Sequence, residues 1–305
     1  MEKLNIKPNI PKAALEYQEA VIKMLLNHQR ILAFKKEFNV DDDFIRRHAS
    51  RFKLWLDQLA LCEGCQGLFE CRQESRGYVL NLTVENGVLI SLLGKCKFLL
   101  EEEAALAHLN NFLINDMGSQ HYKLRLQDFK LDHESFNYLK LIDFVRSWLA
   151  KPQFKALYLY GSPGSGKTYL LSALANELAL KDYKVAFVHV PTFVSKAKRY
   201  FDNLDGMSNL INDAMHADVL IMDDIGAENI TAWSRDELLF PILNYRLESK
   251  KSTWFTSNET LDTLRSQYAI DQKGKQSNTK AIRYIERIKA SSEPFELVGE
   301  NRRNL

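Results

Sequence analysis

The chain has 305 residues, of which 46% are hydrophobic and 26% are charged, so its composition is that of a globular protein with room for about two domains. The formal net charge of +2 excludes a globally basic nucleic-acid-binding protein, so any contact with nucleic acid requires a local patch. The N-terminus lacks a signal-peptide pattern and no run of about 18 apolar residues exists, so we expect a cytoplasmic protein with no membrane partner.

The first hundred residues are predicted to form helices and one β-hairpin. Apolar residues recur at helical spacing through residues 13–60, and the acidic cluster at residues 41–43 is suited to capping a second helical stretch. Apolar and polar residues then alternate through residues 78–93, on either side of Asn86 and Gly87. An Asn-Gly pair within such an alternation is a strong signal for a tight turn between two antiparallel strands.

A polar stretch near Gly118 separates this region from the rest of the chain. Residues 101–116 have the pattern of one more helix, and the stretch that follows them is suited to a linker. The domain boundary is therefore expected near residues 116–130. It divides the chain into a smaller, mostly helical N-terminal domain (residues 1–120) and a larger second domain (residues 121–305).

Four cysteines of the N-terminal domain suggest a metal site. Cys62 and Cys65 form a C-x-x-C turn, Cys71 follows it, and Cys96 comes after the predicted hairpin. Cytoplasmic thiols stay reduced, and four thiolates are a common ligand set for structural zinc, so these residues are expected to bind one Zn²⁺. His108 is a weaker substitute for Cys71 among the four ligands. Free cysteines buried in the core are the alternative.

Strand and helix patterns alternate through the second domain, which predicts an α/β fold with a mostly parallel sheet covered on both faces. Pro241 lies inside a helical pattern that it should kink or split. The predicted strands are residues 156–160, 184–190, 218–223, 253–256 and 295–298.

A glycine-rich segment connects the first of these strands to an amphipathic helix. It matches the phosphate-binding pattern G-x-x-x-x-G-K-[ST] at every fixed position and consists of Gly161, Ser162, Pro163, Gly164, Ser165, Gly166, Lys167 and Thr168. Backbone N–H groups and the helix N-terminus are expected to surround the phosphates of ATP or ADP. Lys167 would bind the β- and γ-phosphates, Thr168 would bind Mg²⁺, and Tyr169 would contact the nucleotide. A chance match is the alternative, but the flanking strand and helix are those that the motif requires.

Aromatic and basic residues are mixed within residues 190–206, which favours single-stranded DNA as a partner. Aromatic rings can stack on bases while cations bind phosphates. The residues concerned are Phe193, Lys196, Lys198, Arg199, Tyr200 and Phe201. Val194, Ala197 and Phe201 also have helical spacing, so an amphipathic helix packed on the core is the alternative.

Two aspartates stand at the end of the strand predicted at residues 218–223. Asp223 is expected to hold Mg²⁺ through water at the carboxyl edge of the sheet, and Asp224 is expected to orient or activate the attacking water. The side chain of Asp224 is shorter than that of glutamate, which predicts slow hydrolysis. A buried strand that ends in an acidic turn is the alternative.

Three further polar residues are candidates for sensing the γ-phosphate. Asn258 follows the strand at residues 253–256, where it either lies beside the phosphate loop as a sensor or caps the next helix. Arg283 and Arg287 are four residues apart on one helical face. Such a pair either reaches the γ-phosphate held by a neighbouring copy or forms an ordinary solvated basic face.

The motifs GSPGSGKT, VLIMDDIGAE, TSN and IRYIERI, in this order, resemble those of the AAA+ ATPases of bacterial replicative-helicase loaders of the DnaI/DnaC type. The similarity covers residues 125–305. It implies a P-loop ATPase domain with a five-stranded parallel sheet of order 5-1-4-3-2. In that fold Asn258 corresponds to sensor I, and Arg287 corresponds to the arginine finger with Arg283 beside it.

The resemblance extends to the end of the sequence. Only GENRRNL follows the last predicted strand, so the C-terminal helical lid of most AAA+ proteins is not expected, and helicase loaders resemble this short ending. Arg302 or Arg303 would then serve as a sensor II on the nucleotide, or both belong to a solvated basic tail.

The resemblance implies an ATPase that couples slow hydrolysis of Mg²⁺-ATP to a conformational change. Its partners would be a hexameric DnaB-type replicative helicase, single-stranded DNA, and further copies of the chain in a nucleotide-dependent oligomer. It would load that helicase onto single-stranded DNA during replication initiation and restart, with the zinc module bound to the helicase. An IstB-like transposition helper and a P-loop kinase with a small acceptor are the alternatives.

Overall fold

The structure, a computed structural model, divides the chain into two compact units, Met1–Ala104 and Ala105–Leu305. It describes residues 11–132, 134–270 and 277–298. Residues 105–120, which we assigned to the N-terminal domain, lie in the second unit. No helix within the described ranges combines the length and the apolar character that crossing a bilayer requires.

The first unit consists of helices and one hairpin. Its described elements are α1 (Lys12–Asn27), α2 (Gln29–Phe38), α3 (Asp42–Arg47), α4 (Ala49–Ala60), β1 (Tyr78–Glu85), β2 (Val88–Lys95) and α5 (Lys97–Leu106), the last of which runs into the second unit. The predicted cap is confirmed, since the Asp41 carboxylate accepts the N–H of Phe44 at 2.8 Å where α3 begins. Residues 13–60 form four helices because the chain is extended at His28 and leaves the helical path again near Asn39 and His48.

The predicted hairpin is confirmed in position and turn. Strands β1 and β2 pair antiparallel from Tyr78 and Lys95 to Glu85 and Val88. Asn86 and Gly87 form the turn with φ of 48° and 77°, the left-handed values that a two-residue turn of this type requires.

The second unit is a parallel sheet with helices on both faces. Its elements are β3 (Phe112–Asn115), α6 (Phe136–Ala150), β4 (Ala156–Tyr160), α7 (Lys167–Leu180), β5 (Val185–His189), α8 (Val190–Arg199), α9 (Leu204–His216), β6 (Val219–Asp223), a π-helical turn (Ser234–Leu239), α10 (Phe240–Glu248), β7 (Ser252–Ser257), α11 (Leu261–Ala269), α12 (Asn278–Ser291) and β8 (Ser292–Glu296). The π-helical turn passes directly into α10, so the helical run is not split at Pro241, and the departure from regular α-helical hydrogen bonding lies in the turn before it.

The strand order is β3-β5-β6-β7-β4-β8. Counted from the phosphate-loop strand β4, the five predicted strands have the order 5-1-4-3-2, as expected. The expected number of strands is wrong, because β3 pairs with β5 and adds a sixth strand at the edge. The prediction of one helix over residues 101–116 is wrong beyond Leu106, where α5 ends. The last strand covers residues 292–296 instead of 295–298, and as an edge strand it tolerates Pro294.

The central strands account for the burial of the site. Every residue of β6 and β7 is buried, as expected for parallel strands covered by helices on both faces. One apolar cluster packs α6 and α7 on one face, and the other packs α8 to α12 on the opposite face. This arrangement fixes the carboxyl ends of β4, β5, β6 and β7 along a single edge.

Candidate nucleotide-binding site

The phosphate loop runs from the end of β4 to the beginning of α7. Gly161, Gly164 and Gly166 have φ of 147°, 84° and 97°, so the loop uses left-handed backbone that glycine tolerates. A Cβ at Gly161 would lie 2.3 Å from the carbonyl oxygen of Leu297, which makes glycine necessary there. Leu297 also donates its N–H to the carbonyl of Tyr160 at 2.7 Å and so fixes the start of the loop.

Lys167 lies across the loop and is only 7% exposed. Its ammonium group donates to the carbonyls of Gly161 and Ser162 at 2.9 and 3.0 Å and to Asn258 Oδ1 at 3.0 Å. The ammonium is thus held at the first helical turn, where the α7 N-terminus also favours anions.

Asn258 joins the loop to the acidic strand end. Its amide nitrogen donates to Asp224 Oδ1 at 3.2 Å, and its amide oxygen accepts from Lys167. The alternative role as a helix cap is wrong, because the hydroxyl of Thr260 accepts the N–H of Thr263 and caps α11. Asn258 therefore lies between β4 and β6, where a sensor of the γ-phosphate is expected.

Asp223 and Thr168 lie together, as the Mg²⁺ hypothesis requires. The Thr168 hydroxyl donates to Asp223 Oδ1 at 2.8 Å, and the Thr256 hydroxyl donates to the same oxygen at 2.7 Å. Burial raises the pKa of the Asp223 carboxyl, and the hydrogen bonds from Thr256 and Thr168 oppose this rise. Hydroxyl and carboxylate oxygens are suitable Mg²⁺ ligands, so this pair fits the cation, whose binding would favour the ionised carboxylate.

Asp224 has left-handed backbone, with φ of 58°. Its N–H donates to the Thr256 hydroxyl at 2.8 Å, so one threonine holds both aspartates. His189, at the end of β5, places Nε2 at 4.0 Å from Asp224 Oδ2 while its Nδ1 lies 2.7 Å from the Thr192 hydroxyl. The carboxylate is thus oriented by neighbours from β5 and β7.

Sequence reasoning missed Thr256 and His189. Thr256 lies two positions before Asn258 in a buried strand that also contains Ser252, Thr253 and Ser257, so no sequence signal singled it out. His189 is the last residue of β5, and only the parallel pairing of β5 with β6 places it beside the aspartates.

A cavity of about 990 Å³ lies beside the loop. Residues 116–130 form its other wall, where the rings of His121 and Phe129 lie 5.9 and 5.0 Å from the ring of Tyr169. The size is at the upper end of the range for small-molecule sites, and Tyr169, which is expected to contact the nucleotide, borders the cavity.

Arg283 and Arg287 lie away from this cavity. Of the described residues that line it, none belongs to α12. Arg283 is exposed, whereas Arg287 is half-buried and donates through Nε to Asn244 Oδ1 at 2.9 Å. The Arg287 guanidinium also lies 5.6 Å from the ring centroid of Phe240. The chain thus does not bring either arginine to its own phosphate loop.

Comparison with known proteins identifies the family. The sequence profile of the family described as IstB-like ATP binding protein matches residues 93–301. The replicative helicase loader DnaI of Bacillus subtilis (strain 168) is 30% identical over 305 residues, which cover 98% of this chain and 96% of that loader. The chain belongs to the DnaI-type family of IstB-like ATP-binding proteins.

Solved structures agree with this DnaI-type assignment. A crystal structure of DnaI has a TM-score of 0.54 and 33% identity, with 64% of this chain and 99% of that chain covered. A crystal structure of the DnaC helicase loader has a TM-score of 0.50 at 21% identity over 59% of this chain and 100% of that chain, and it shows the shared fold alone. The family description is that of an ATP-binding protein.

In this DnaI-type chain the mixed basic and aromatic segment forms α8 and the residues after it. Phe193 is 1% exposed and packs in the core, so its expected stacking on DNA is wrong. Lys196 pairs with the buried carboxylate of Asp116. Phe201 is 55% exposed, and its ring lies 4.7 Å from that of Trp233. The other members are at least partly exposed, namely Lys198, Arg199 and Tyr200.

The four cysteines lie in the first unit, and each is half-exposed, so the alternative of buried thiols is wrong. Within the described part of the chain, no group of three or more histidine, cysteine or acidic side chains is close enough to hold a metal ion. His108 is wrong as a substitute ligand, because it is buried in the second unit with Nε2 at 3.2 Å from Asn176 Oδ1. Arg302 and Arg303 lie outside the described residues.

Replacing Thr256 by valine keeps the shape of the side chain and removes the hydroxyl that joins the two aspartates. Asp223 then loses a donor and the Asp224 N–H loses its acceptor, at about 1–3 kcal/mol for each unsatisfied group. We expect ATP hydrolysis to slow about tenfold or more while ATP affinity changes less than about threefold. Phosphate release and titration with a fluorescent ATP analogue measure the two quantities.

The matched control is Thr83→Val on β1, in the other unit, which should leave both quantities unchanged. A hydrolysis rate that is as fast in Thr256→Val as in the control would show that Thr256 does not position the aspartates.

Proposed function

We propose that the chain is an ATP-dependent loader of a replicative DnaB-type helicase onto single-stranded DNA during replication initiation and restart. The observation that carries the proposal is the similarity to a replicative helicase loader over 98% of the chain, which includes both units. The contacts of Lys167, Thr168 and Asn258 at the strand ends agree with an ATP-driven switch in such a protein.

The roles within one ATP site follow from these contacts. Lys167 would move its ammonium from the Gly161 and Ser162 carbonyls to the β- and γ-phosphates, while Thr168 and Asp223 hold the cation. Mg²⁺, when bound, would neutralise phosphate charge. Asp224 orients the attacking water, and Asn258 is placed to change partners when the γ-phosphate leaves.

A neighbouring copy of the chain would supply the remaining positive charge at the ATP site. Arg287 projects from α12, away from the cavity of its own chain, so it is available to a cavity on another copy only after leaving Asn244. Arg283 would act beside it. An arginine supplied in this way stabilises charge on the transferred phosphoryl group and couples hydrolysis to assembly. ATP hydrolysis thereby shifts a conformational and oligomeric equilibrium.

The first unit would bind the helicase. It exposes large apolar side chains, a feature typical of protein-binding surfaces. They include Leu15, Tyr17 and Met24 on α1 and Val88, Leu92 and Leu93 on β2. Single-stranded DNA would contact the exposed basic and aromatic residues after the middle of α8.

We infer that zinc would organise the first unit by drawing together four cysteines that, among the described residues, are not grouped closely enough to hold a metal ion. The Gly77 N–H donates to Cys71 Sγ at 3.3 Å and the Gly77 carbonyl accepts the N–H of Cys96 at 2.8 Å, so two of the four ligands share one neighbour. The Gly77 N–H lowers the pKa of the Cys71 thiol, which favours the thiolate that zinc needs. Cys62 and Cys65 supply the C-x-x-C pair.

We expect the chain to carry one tightly bound Zn²⁺ after purification without chelator. Metal content measured by mass spectrometry should fall to near zero in the quadruple cysteine-to-serine variant, and thermal unfolding of the first unit should occur at lower temperature. A chain that neither carries zinc nor binds it when titrated would contradict the proposal while leaving the ATPase assignment intact.

Closed circles of single-stranded DNA provide the test of the loader function, because a ring-shaped helicase can enter them only if the ring opens. With Mg²⁺-ATP, the full chain should form a complex with the replicative helicase and increase the amount of helicase retained on circles. Lys167→Ala should reduce this retention. The loader assignment fails if no complex forms in any nucleotide state.

The transposition-helper alternative is less well supported. The IstB-like profile matches residues 93–301, whereas similarity to the DnaI loader also covers most of the first unit. A kinase would transfer phosphate to an acceptor, and release of all phosphate as inorganic phosphate would exclude it.

A further inference from the structure

A buried polar network connects the loop after Asp224 to helix α12. The loop begins with Ile225 and reaches Glu228, a carboxylate that is only 6% exposed. Gly226 has φ of 96°, and a Cβ there would lie 2.6 Å from Leu264 Cδ1 of α11, so the loop packs closely on that helix. The network is distinct from the contacts of the phosphate loop.

Glu228 accepts two hydrogen bonds within the protein. The Gly226 N–H donates to Oε2 at 2.7 Å, and the Tyr268 hydroxyl donates to Oε1. Tyr268 is fully buried near the end of α11. Burial raises the pKa of the Glu228 carboxyl, and the bond from Tyr268 opposes this rise. A buried carboxylate needs such donors, which makes the pair specific and directional.

The network then reaches α12. The ring of Tyr268 stacks on the ring of Tyr284, with centroids 4.6 Å apart and planes at 21°. Tyr284 is fully buried and lies between Arg283 and Arg287 in the sequence of α12. A shift of Tyr268 would therefore displace α12, the helix that carries both arginines.

A second connection runs parallel to the first. Arg235 is 1% exposed and donates to the carbonyl of Tyr268 at 2.6 Å. It also binds Asp236 through Nε and Nη2 at 2.6 and 2.9 Å. Asp236 in turn accepts from Lys280 of α12 at 2.6 Å. The beginning of α12 is thus attached to the same tyrosine by charged groups.

The catalytic end of the loop does not depend on this network. Ile225 donates its N–H to the carbonyl of Thr256 at 2.9 Å and accepts the Ser257 hydroxyl at 2.7 Å, so β7 holds it. Asp224 is also bound to Thr256. Loss of the Tyr268 hydroxyl should therefore release α12 more than it disturbs the aspartates.

We propose that Glu228, Tyr268 and Lys280 are positioning residues that hold α12 where Arg283 and Arg287 reach the ATP of a neighbouring copy. The inference rests on the proposed shared site and adds the residues that align its arginine donor.

A mixture of two inactive variants tests this inference, because each chain then supplies only one half of the shared ATP site. Arg287→Ala chains keep an intact phosphate loop, and Lys167→Ala chains keep an intact α12. The mixture should recover ATP hydrolysis in the presence of single-stranded DNA and helicase. Tyr268→Phe, which keeps the ring and removes the hydroxyl, is then added to one chain at a time.

Placed in the Lys167→Ala chain, Tyr268→Phe should lower the recovered rate about tenfold, because small displacements of a catalytic group cost this much or more. Placed in the Arg287→Ala chain, it should change the rate less than about twofold. Lys280→Met, an exposed second variant that spares the core, should show the same asymmetry with a smaller loss. Tyr183→Phe, on the other face of the sheet, is the matched control.

Equal losses in the two placements, or no loss in either, would overturn the positioning role while leaving the shared site in place. Absence of recovery in the parent mixture would overturn the shared site and this inference with it. The two failures are therefore distinguishable.

Discussion

Replacing Lys167 by alanine is expected to slow ATP hydrolysis by at least about a hundredfold, because it removes the only phosphate-loop cation at the first turn of α7. Binding should weaken as well, by about tenfold or more, since a charge-assisted hydrogen bond to phosphate is lost. The variant should still fold, because the ammonium bonds two carbonyls and Asn258 at the edge of the open cavity. Phosphate release and titration with a fluorescent ATP analogue measure the two effects.

Lys181→Ala is the matched control. Lys181 caps the other end of the same helix, where its ammonium donates to the carbonyl of Leu149 at 3.1 Å. It should hydrolyse ATP at the unmodified rate. Equal activity of the two variants would show that the cavity beside α7 is not where ATP is hydrolysed.

Replacing Arg246 by leucine is expected to destabilise the second unit by more than about 4 kcal/mol, since several buried acceptors would each lose a donor at about 1–3 kcal/mol. The guanidinium is 1% exposed and donates to the carbonyls of Ala214, Met215 and Ala217 at 2.8–3.1 Å. It also binds Thr253 Oγ1 at 2.9 Å. Arg246 thus joins the carbonyl end of α9, where a cation is favoured, to the start of β7.

Urea unfolding followed by circular dichroism measures this effect. Arg265→Leu on α11 is the control, because Arg265 is half-exposed and lies 3.8 Å from Asp262 in a surface pair whose loss should cost less than about 1 kcal/mol. An unfolding midpoint of Arg246→Leu close to that of the control would show that this buried network does not stabilise the fold.

The sequence predicted the residues of the site wherever a motif coincided with the end of a strand. Lys167, Asp223 and Asn258 come from three separate segments, yet the carboxyl ends of parallel strands meet at one edge, so their proximity could be expected. The hairpin at Asn86 and Gly87 was predictable for a local reason, namely the left-handed turn that this pair favours.

The parts that sequence could not predict depend on partners far along the chain. Strand β3 has four residues and no pattern of its own, and only its pairing with β5 identifies it. Phe193 is an aromatic residue in a basic segment, which suits base stacking, but helix α8 places its side chain in the core. In the sequence, Tyr268 and Glu228 look like ordinary core and loop residues, because only the fold of the second unit brings them together.

Hydrolysis by an equimolar mixture of Lys167→Ala and Arg287→Ala chains tests most directly whether one copy completes the ATP site of the next. Each variant alone should be nearly inactive, because one lacks the phosphate-binding lysine and the other lacks the arginine. The mixed rate should be at least about tenfold above the sum of the separate rates, since an arginine supplied by a neighbour increases the rate by far more than this. A mixed rate equal to that sum, measured with helicase and single-stranded DNA present, would contradict it.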